Sequence, residues 1–119
     1  IESLKAADNW LNESGSNLNH KTYNSSIIAS YLAMFHASRS VLFRDGFREK
    51  SHYCIARFLE EKYVKGGKLE SKWVELLDYY REIRHDNQYS PYFLTNQEEA
   101  QKCLTTAKEF VQRIKRLVN

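Results

Sequence analysis

The chain has 119 residues, which suits a single domain spanning residues 1–119, and its 42% hydrophobic and 28% charged residues are ordinary for a folded protein. Only 4 glycines and 1 proline are present, which argues against sandwiches, barrels and other turn-rich β folds. The net charge of +3 permits a nucleic-acid partner without requiring one, because acidic residues are almost as numerous as basic ones.

Apolar residues recur at helical spacing from the start of the chain. Leu4, Ala7, Trp10 and Leu11 predict a first helix, and the Ser-Gly-Ser-Asn run of residues 14–17 predicts a break after it. A second and longer helix is predicted from about Lys21 to Phe43, ended by Asp45-Gly46. Its residues three and four apart form one buried stripe: Tyr23, Ile27, Tyr31, Met34, Phe35, Ser38 and Leu42.

Three more helices follow. Ser51 is the predicted N-cap of the third helix, which Gly66-Gly67 ends, and Ser71 is the predicted cap of a fourth that finishes before Pro91. Residues 95–98 (Thr-Asn-Gln-Glu) predict a capping box that opens the last helix. Because short loops between long helices produce antiparallel neighbours, we expect an all-α, up-and-down bundle of four to five helices.

The two cysteines, Cys54 and Cys103, lie on apolar helix faces without a CxxC pair, so both are expected to be buried free thiols. No apolar run approaches the roughly 18 residues that span a bilayer, and no signal peptide is visible. We therefore expect a cytoplasmic protein without membrane contact. Arg113, Lys115 and Arg116 are expected to form a solvated basic face on the last helix.

Two Glu-x-x-His patterns, at residues 49–52 and 82–85, are similar to those of di-iron bundles. The first straddles the predicted helix start at Ser51, and in the second Glu82 faces solvent because Ile83 belongs to the inward stripe. We therefore predict no metal and no other cofactor.

The polar run from Arg84 to Tyr89 closes the fourth helix and has two interpretations. Cations at the end of a helix favour its dipole, so the run is explained without any function. Alternatively, the planar guanidinium of Arg84 binds a phosphate, His85 moves protons near neutral pH, and Asn87 and Tyr89 orient the substrate.

Residues 31–39 (Tyr-Leu-Ala-Met-Phe-His-Ala-Ser-Arg) resemble the YYAMFHAAR core of the HEPN superfamily, in its small stand-alone prokaryotic members. Residues 46–52 are similar to the glycine-to-Ser-His connection of those members. Residues 81–89 fall where the family keeps its polar signature, and residues 98–100 and 107–110 resemble its last helix. The resemblance covers nearly the whole chain.

The resemblance implies a helical bundle that forms a homodimer, often beside a minimal nucleotidyltransferase. Many members are metal-independent ribonucleases whose motif is Arg, a polar residue, a short spacer and His, with two copies meeting at the dimer cleft. Arg84 and His85 match its first two positions, whereas Tyr89 stands in place of the histidine. The tentative catalytic set is therefore Arg84, His85 and Tyr89.

In the family, the second helix faces the polar signature. This implies a nucleotide- or RNA-binding set that combines residues of both helices: Arg81, Arg84, Asn87, His36 and Arg39. Without the resemblance, His36 is interpreted as a half-buried structural histidine.

Three hypotheses remain open. The first is a homodimer that binds nucleotide or RNA and works with a nucleotidyltransferase partner in a toxin–antitoxin-like or substrate-binding role. The second is an active ribonuclease toxin. The third is a helical interaction module without nucleotide chemistry. Since tyrosine is a poor base at neutral pH, the replacement of histidine by Tyr89 favours binding over cleavage.

Overall fold

The computed structural model describes residues 2–89 and 94–119, and within them every regular element is a helix. The all-α bundle expected from the sequence is confirmed. In chain order the elements are the helices α1 (Glu2–Asn19), α2 (Tyr23–Arg44) and α3 (His52–Leu59), a π-helical turn (Glu60–Val64), and the helices α4 (Ser71–Tyr89) and α5 (Gln97–Val118).

Helix α1 continues through the predicted break at residues 14–17, so that prediction was wrong. Ser14 is fully buried, and its Oγ lies 2.8 Å from the carbonyl oxygen of Ser26 and 2.7 Å from Oγ of Ser30. Because α2 supplies these partners, the serine joins two helices instead of ending one. The chain reverses only at Lys21, which has a φ of 63°, and α2 begins two residues later than predicted.

Helix α2 is the centre of the bundle and packs against α1, α3, α4 and α5. All but one of the predicted stripe residues are buried, the exception being the half-buried Tyr23. Gly46 follows the helix with a φ of 84°, which confirms the predicted end.

Helix α3 begins as predicted, because Oγ of Ser51 accepts a hydrogen bond from the backbone N–H of Cys54 at 3.2 Å. The thiol of Cys54 is exposed, however, so its predicted burial was wrong, whereas Cys103 is buried. The π-helical turn then carries Tyr63, whose hydroxyl donates to Asp45 at 2.5 Å. This contact fixes the end of α2 against the segment that follows α3.

The last two helices differ from the prediction at their starts. Ser71 is the first residue of α4 and not its cap. At α5 the capping residue is Asn96, whose Oδ1 accepts from the N–H of Glu99 at 2.9 Å, so the predicted box was one residue too early. Helix α4 ends at Tyr89, and Pro91 lies outside the described residues.

The basic face expected on α5 is mostly neutralised. Arg113 Nε lies 2.8 Å from a carboxylate oxygen of Glu70, and Lys115 Nζ lies 2.9 Å from Asp8. Only Arg116 of the three predicted cations has no ion pair with a described residue. Separately, none of the helices in residues 2–89 and 94–119 combines the length and apolar character needed to cross a bilayer.

Candidate functional site

Arg84 lies on the face of α4 that meets α2. Its guanidinium carbon is 5.1 Å from the centroid of the Tyr31 ring, and Nη1 donates to Oε1 of Gln88 at 2.9 Å. The Nε atom is buried and has no acceptor among the described residues. Arg84 is therefore a half-buried cation that lies against Gln88 and Tyr31, both uncharged, and has no carboxylate partner in the described chain.

Three aromatic rings of α2 and α3 pack on one another, and one of them lies against this arginine. Tyr31 is 1% exposed, and its hydroxyl is 2.7 Å from Nδ1 of His52. The His52 ring stacks on Phe35, with centroids 3.9 Å apart and planes inclined by 14°. Helices α2, α3 and α4 therefore meet at this cluster, where the Arg84 guanidinium lies against the Tyr31 ring.

The protonation of this cluster follows from burial and from the nearby arginines. Burial lowers the pKa of His52 to about 4, and the positive charges of Arg84 and Arg81 act in the same direction. Burial also raises the pKa of Tyr31 to about 12, against the opposing effect of Arg84. At neutral pH both side chains are therefore uncharged, and the arginines provide the charge of the cluster.

Arg81 lies one turn before Arg84 and belongs to a network of charges. Its Nη1 donates to Asp78 at 2.7 Å, and Arg57 of α3 donates to the other carboxylate oxygen of Asp78. The guanidinium carbons of Arg57 and Arg81 lie 4.9 and 5.3 Å from the ring centroid of Tyr53. One carboxylate is thus shared by two arginines, whereas Arg84 has none.

His85 and Tyr89 face solvent at the end of α4. The His85 side chain is 62% exposed, Tyr89 is 69% exposed, and the two ring centroids are 4.9 Å apart. Because consecutive helical residues point about 100° apart, His85 leaves the helix in a different direction from Arg84. The catalytic set implied by the resemblance is therefore divided between the half-buried Arg84 and an exposed pair.

Asn87, which was predicted to contact a ligand, is bonded within the protein. Its Nδ2 donates to the carbonyl oxygen of Asn24 at 3.0 Å, which joins the end of α4 to the start of α2. Its Oδ1 is buried without a partner among the described residues.

His36 and Arg39 both contact the ring of Phe35. The rings of His36 and Phe35 meet edge to face at 5.2 Å, and burial lowers the pKa of His36. Arg39 Nε is 2.6 Å from Glu49, and its guanidinium carbon is 4.7 Å from the Phe43 ring centroid. Arg39 is thus already paired with a carboxylate, unlike Arg84.

The two Glu-x-x-His patterns lie apart from each other, at the start of α3 and near the end of α4. Within the described part of the chain, no three His, Cys, Asp or Glu side chains come close enough to hold an ion. Glu49 of the first Glu-x-x-His pattern pairs with Arg39, and Glu82 of the second is exposed beside Arg81. What the cluster offers chemically is an arginine suited to binding an anion.

Sequence reasoning missed four members of this cluster: Tyr31 and His52 as a hydrogen-bonded pair, and Asp78 and Tyr53 as partners of the arginines. The sequence predicts Tyr31 as part of the buried stripe, and it predicts His52 only as part of the connection before the third helix. The available signal was that both belong to segments that resemble the HEPN superfamily.

Comparison with known proteins agrees with that resemblance. The family model described as "HEPN domain" matches residues 2–117. No curated protein matches the chain significantly.

Proposed function

The chain belongs to the HEPN family, and from this membership and the geometry around Arg84 we propose that it is a homodimer that binds nucleotide or RNA through phosphate groups. The family points to a function related to nucleotides or RNA. The proposal adds a binding residue, a partner and a role. The partner is a minimal nucleotidyltransferase, and the role is that of a substrate-binding or toxin–antitoxin-like subunit.

One observation carries the proposal: Arg84 has no carboxylate partner in the described chain, although Arg57 and Arg81 share one nearby. A guanidinium presents a planar set of donors that fits phosphate oxygens, and hydrogen bonds to charged groups are stronger than those to neutral ones. A phosphate that replaced the amide of Gln88 would neutralise Arg84 without breaking an ion pair.

The geometry favours binding over cleavage. Cleavage of RNA by its 2′-hydroxyl requires a base close to the reacting atoms. The Nδ1 atom of His52 is occupied by Tyr31, and burial gives His52 a pKa of about 4, so it is a weak base. His85 and Tyr89 are paired in solvent on another face of α4.

Exposed apolar side chains support the homodimer. Tyr79 is 57% exposed and Leu94 is 89% exposed, and both line an open groove between α4 and α5 together with Leu76 and Ile83. Such side chains in one groove are typical of surfaces that bind another protein. Sedimentation of the wild type and of Tyr79→Asp tests the homodimer. We expect the wild type to be a dimer and the introduced aspartate to weaken the association. A monomeric wild type would contradict the homodimer.

The main experiment measures the binding of fluorescent single-stranded RNA to the wild type, Arg84→Ala and Arg116→Ala. Each variant loses one positive charge, but Arg116 is exposed on α5. We expect Arg84→Ala to weaken binding by about tenfold or more, because a charged hydrogen bond to phosphate is lost. Arg116→Ala should change it little, and both variants should melt near the wild-type temperature.

An equal loss of RNA affinity in the two variants would mean that only net charge attracts RNA. Unchanged RNA binding in Arg84→Ala would show that Arg84 is not the binding residue. RNA recovered from the same samples should be intact. Cleavage abolished by Arg84→Ala would replace the proposal with the ribonuclease hypothesis.

The partner protein is tested separately, by co-expression with a nucleotidyltransferase encoded beside the gene. Failure of the two proteins to co-purify would contradict the proposed partner.

A further inference from the structure

Tyr53 is a large aromatic side chain that is half exposed and yet held in place. It is the second residue of α3, its exposed fraction is 52%, and its ring belongs to no part of the hydrophobic core. The guanidinium carbons of Arg57 and Arg81 lie within 5.3 Å of the ring centroid. Contacts between a cation and a ring at this distance are attractive, so they fix the ring without burying it.

The two arginines are themselves fixed. Both donate to Asp78, and the Arg81 side chain is only 17% exposed. Phe47 is a comparable aromatic residue that is 50% exposed, but its ring is held by another apolar ring. It packs on Phe58 with centroids 5.3 Å apart, and no described cation lies over it. The orientation of Tyr53 is therefore set by charged side chains, which distinguishes it from an ordinary exposed aromatic residue.

Tyr53 also adjoins the Arg84 cluster. The connection is made by Arg81 and not by the neighbouring His52, because consecutive residues of α3 point about 100° apart. Arg81, which contacts the Tyr53 ring, precedes Arg84 by three residues and therefore shares its side of α4. An exposed ring thus stands at the edge of the proposed phosphate site.

We infer that Tyr53 stacks on the base of an unpaired nucleotide whose phosphate is bound by Arg84. This inference rests on the proposed function and specifies its ligand as single-stranded RNA or a free nucleotide. Every base has a flat face, so stacking provides affinity without sequence preference. A duplex is disfavoured because its base faces are already covered.

The experiment compares three probes with the full-length protein: a labelled single-stranded oligoadenylate, the same strand annealed to its complement, and inorganic polyphosphate, which has no bases. The variants are Tyr53→Ala, Tyr53→Phe, Tyr53→Leu, the matched aromatic control Phe47→Ala, and Arg84→Ala. Melting temperatures are recorded for all, and Tyr53→Leu retains an apolar side chain should Tyr53→Ala fold poorly.

We expect Tyr53→Ala and Tyr53→Leu to weaken oligoadenylate binding by about fivefold or more, which is the loss of one stacked base. Polyphosphate binding should not change, Tyr53→Phe and Phe47→Ala should bind like the wild type, and the duplex should bind more weakly than the single strand.

Equal weakening for oligoadenylate and polyphosphate would show that Tyr53 only positions the arginines, and it would overturn the stacking. If Arg84→Ala weakens binding and the Tyr53 variants do not, the stacking fails while the proposed function stands. If Arg84→Ala has no effect on any probe, the proposed function itself fails.

Discussion

The hydroxyl oxygen of Tyr31 and Nδ1 of His52 lie 2.7 Å apart, which is a hydrogen-bond distance between α2 and α3. Both groups are uncharged at neutral pH, because burial raises the pKa of Tyr31 to about 12 and lowers that of His52 to about 4. His52 is therefore a neutral partner of Tyr31, although the charges of Arg84 and Arg81 act on it.

The first prediction concerns acid stability. Because the unfolded chain binds a proton at the ordinary His pKa of 6.5 and the folded chain binds it only near 4, stability contributed by His52 is present above pH 6.5 and is lost as the pH falls towards 4. Since the side chain is partly exposed, we expect a loss of about 1 kcal/mol in unfolding free energy between pH 7 and pH 5. Urea unfolding of the wild type and His52→Gln at both pH values measures it.

The variant should lose less stability on acidification than the wild type, since glutamine does not titrate. His36, whose pKa is also lowered, remains in both proteins and cancels in the comparison. Equal losses in the two proteins would show that His52 is not the group responsible.

The second prediction concerns the buried hydroxyls between α1 and α2. Ser14→Ala removes the Oγ that lies 2.9 Å from Oγ of Ser26 and 2.7 Å from Oγ of Ser30, and all three serines are fully buried. Ser26 Oγ keeps its bond to the carbonyl oxygen of residue 14, whereas Ser30 Oγ loses its contact with α1. We expect a loss of about 1–3 kcal/mol in unfolding free energy, because buried hydrogen bonds between the two helices are lost. Ser16→Ala, an exposed change in the same helix, should cost less than about 0.5 kcal/mol. Similar denaturation midpoints for the two variants would contradict this role of Ser14.

The third prediction concerns Asp78, whose carboxylate pairs with both Arg57 and Arg81. Asp78→Asn removes that negative charge, so polyphosphate should bind about threefold more tightly even though an ion-pair network is lost. Asp86→Asn changes the charge of α4 equally at an exposed position and should have a smaller effect. Titrations at low salt measure both, and weaker binding in Asp78→Asn would mean that its carboxylate mainly orients the arginines.

The fourth prediction concerns the thiols. Cys54 is exposed, whereas Cys103 is buried and its pKa is raised to about 12 by that burial. A thiol reagent should therefore modify one cysteine of the native protein quickly and both after unfolding, because the thiolate is the reactive form. Cys54→Ser should abolish the fast reaction. Rapid loss of two thiols from the native wild type would contradict the burial of Cys103.

The helices were predictable from the sequence because apolar spacing alone defines them, as the α2 stripe shows. The continuation of α1 through residues 14–17 was not predictable, because Ser, Gly and Asn are common in turns. Nothing in the local sequence shows that Ser14 has hydrogen-bond partners on α2. Cys54 was misplaced for a similar reason. It occupies the first turn of α3, where which side is buried depends on the neighbouring helices.

The candidate site was half predictable. Arg84 is prominent in the sequence because polar residues follow it, and it is central to the structure. His52 is separated from it by more than one helix along the chain, and only the meeting of α2, α3 and α4 brings its ring beside Tyr31. The exposed direction of His85 follows from its position one residue after Arg84, because consecutive helical residues point about 100° apart.

Tyr31 belongs to two parts of the molecule at once: it is among the largest fully buried side chains, and its ring lies under Arg84. A ligand held by Arg84 would therefore rest on the bundle's own interior and not on a loop. Any molecule that binds there prefers the folded chain to the unfolded one, so it raises the melting temperature by an amount that grows with the logarithm of its concentration relative to its Kd. Thermal shift can thus rank candidate nucleotides before any activity is known.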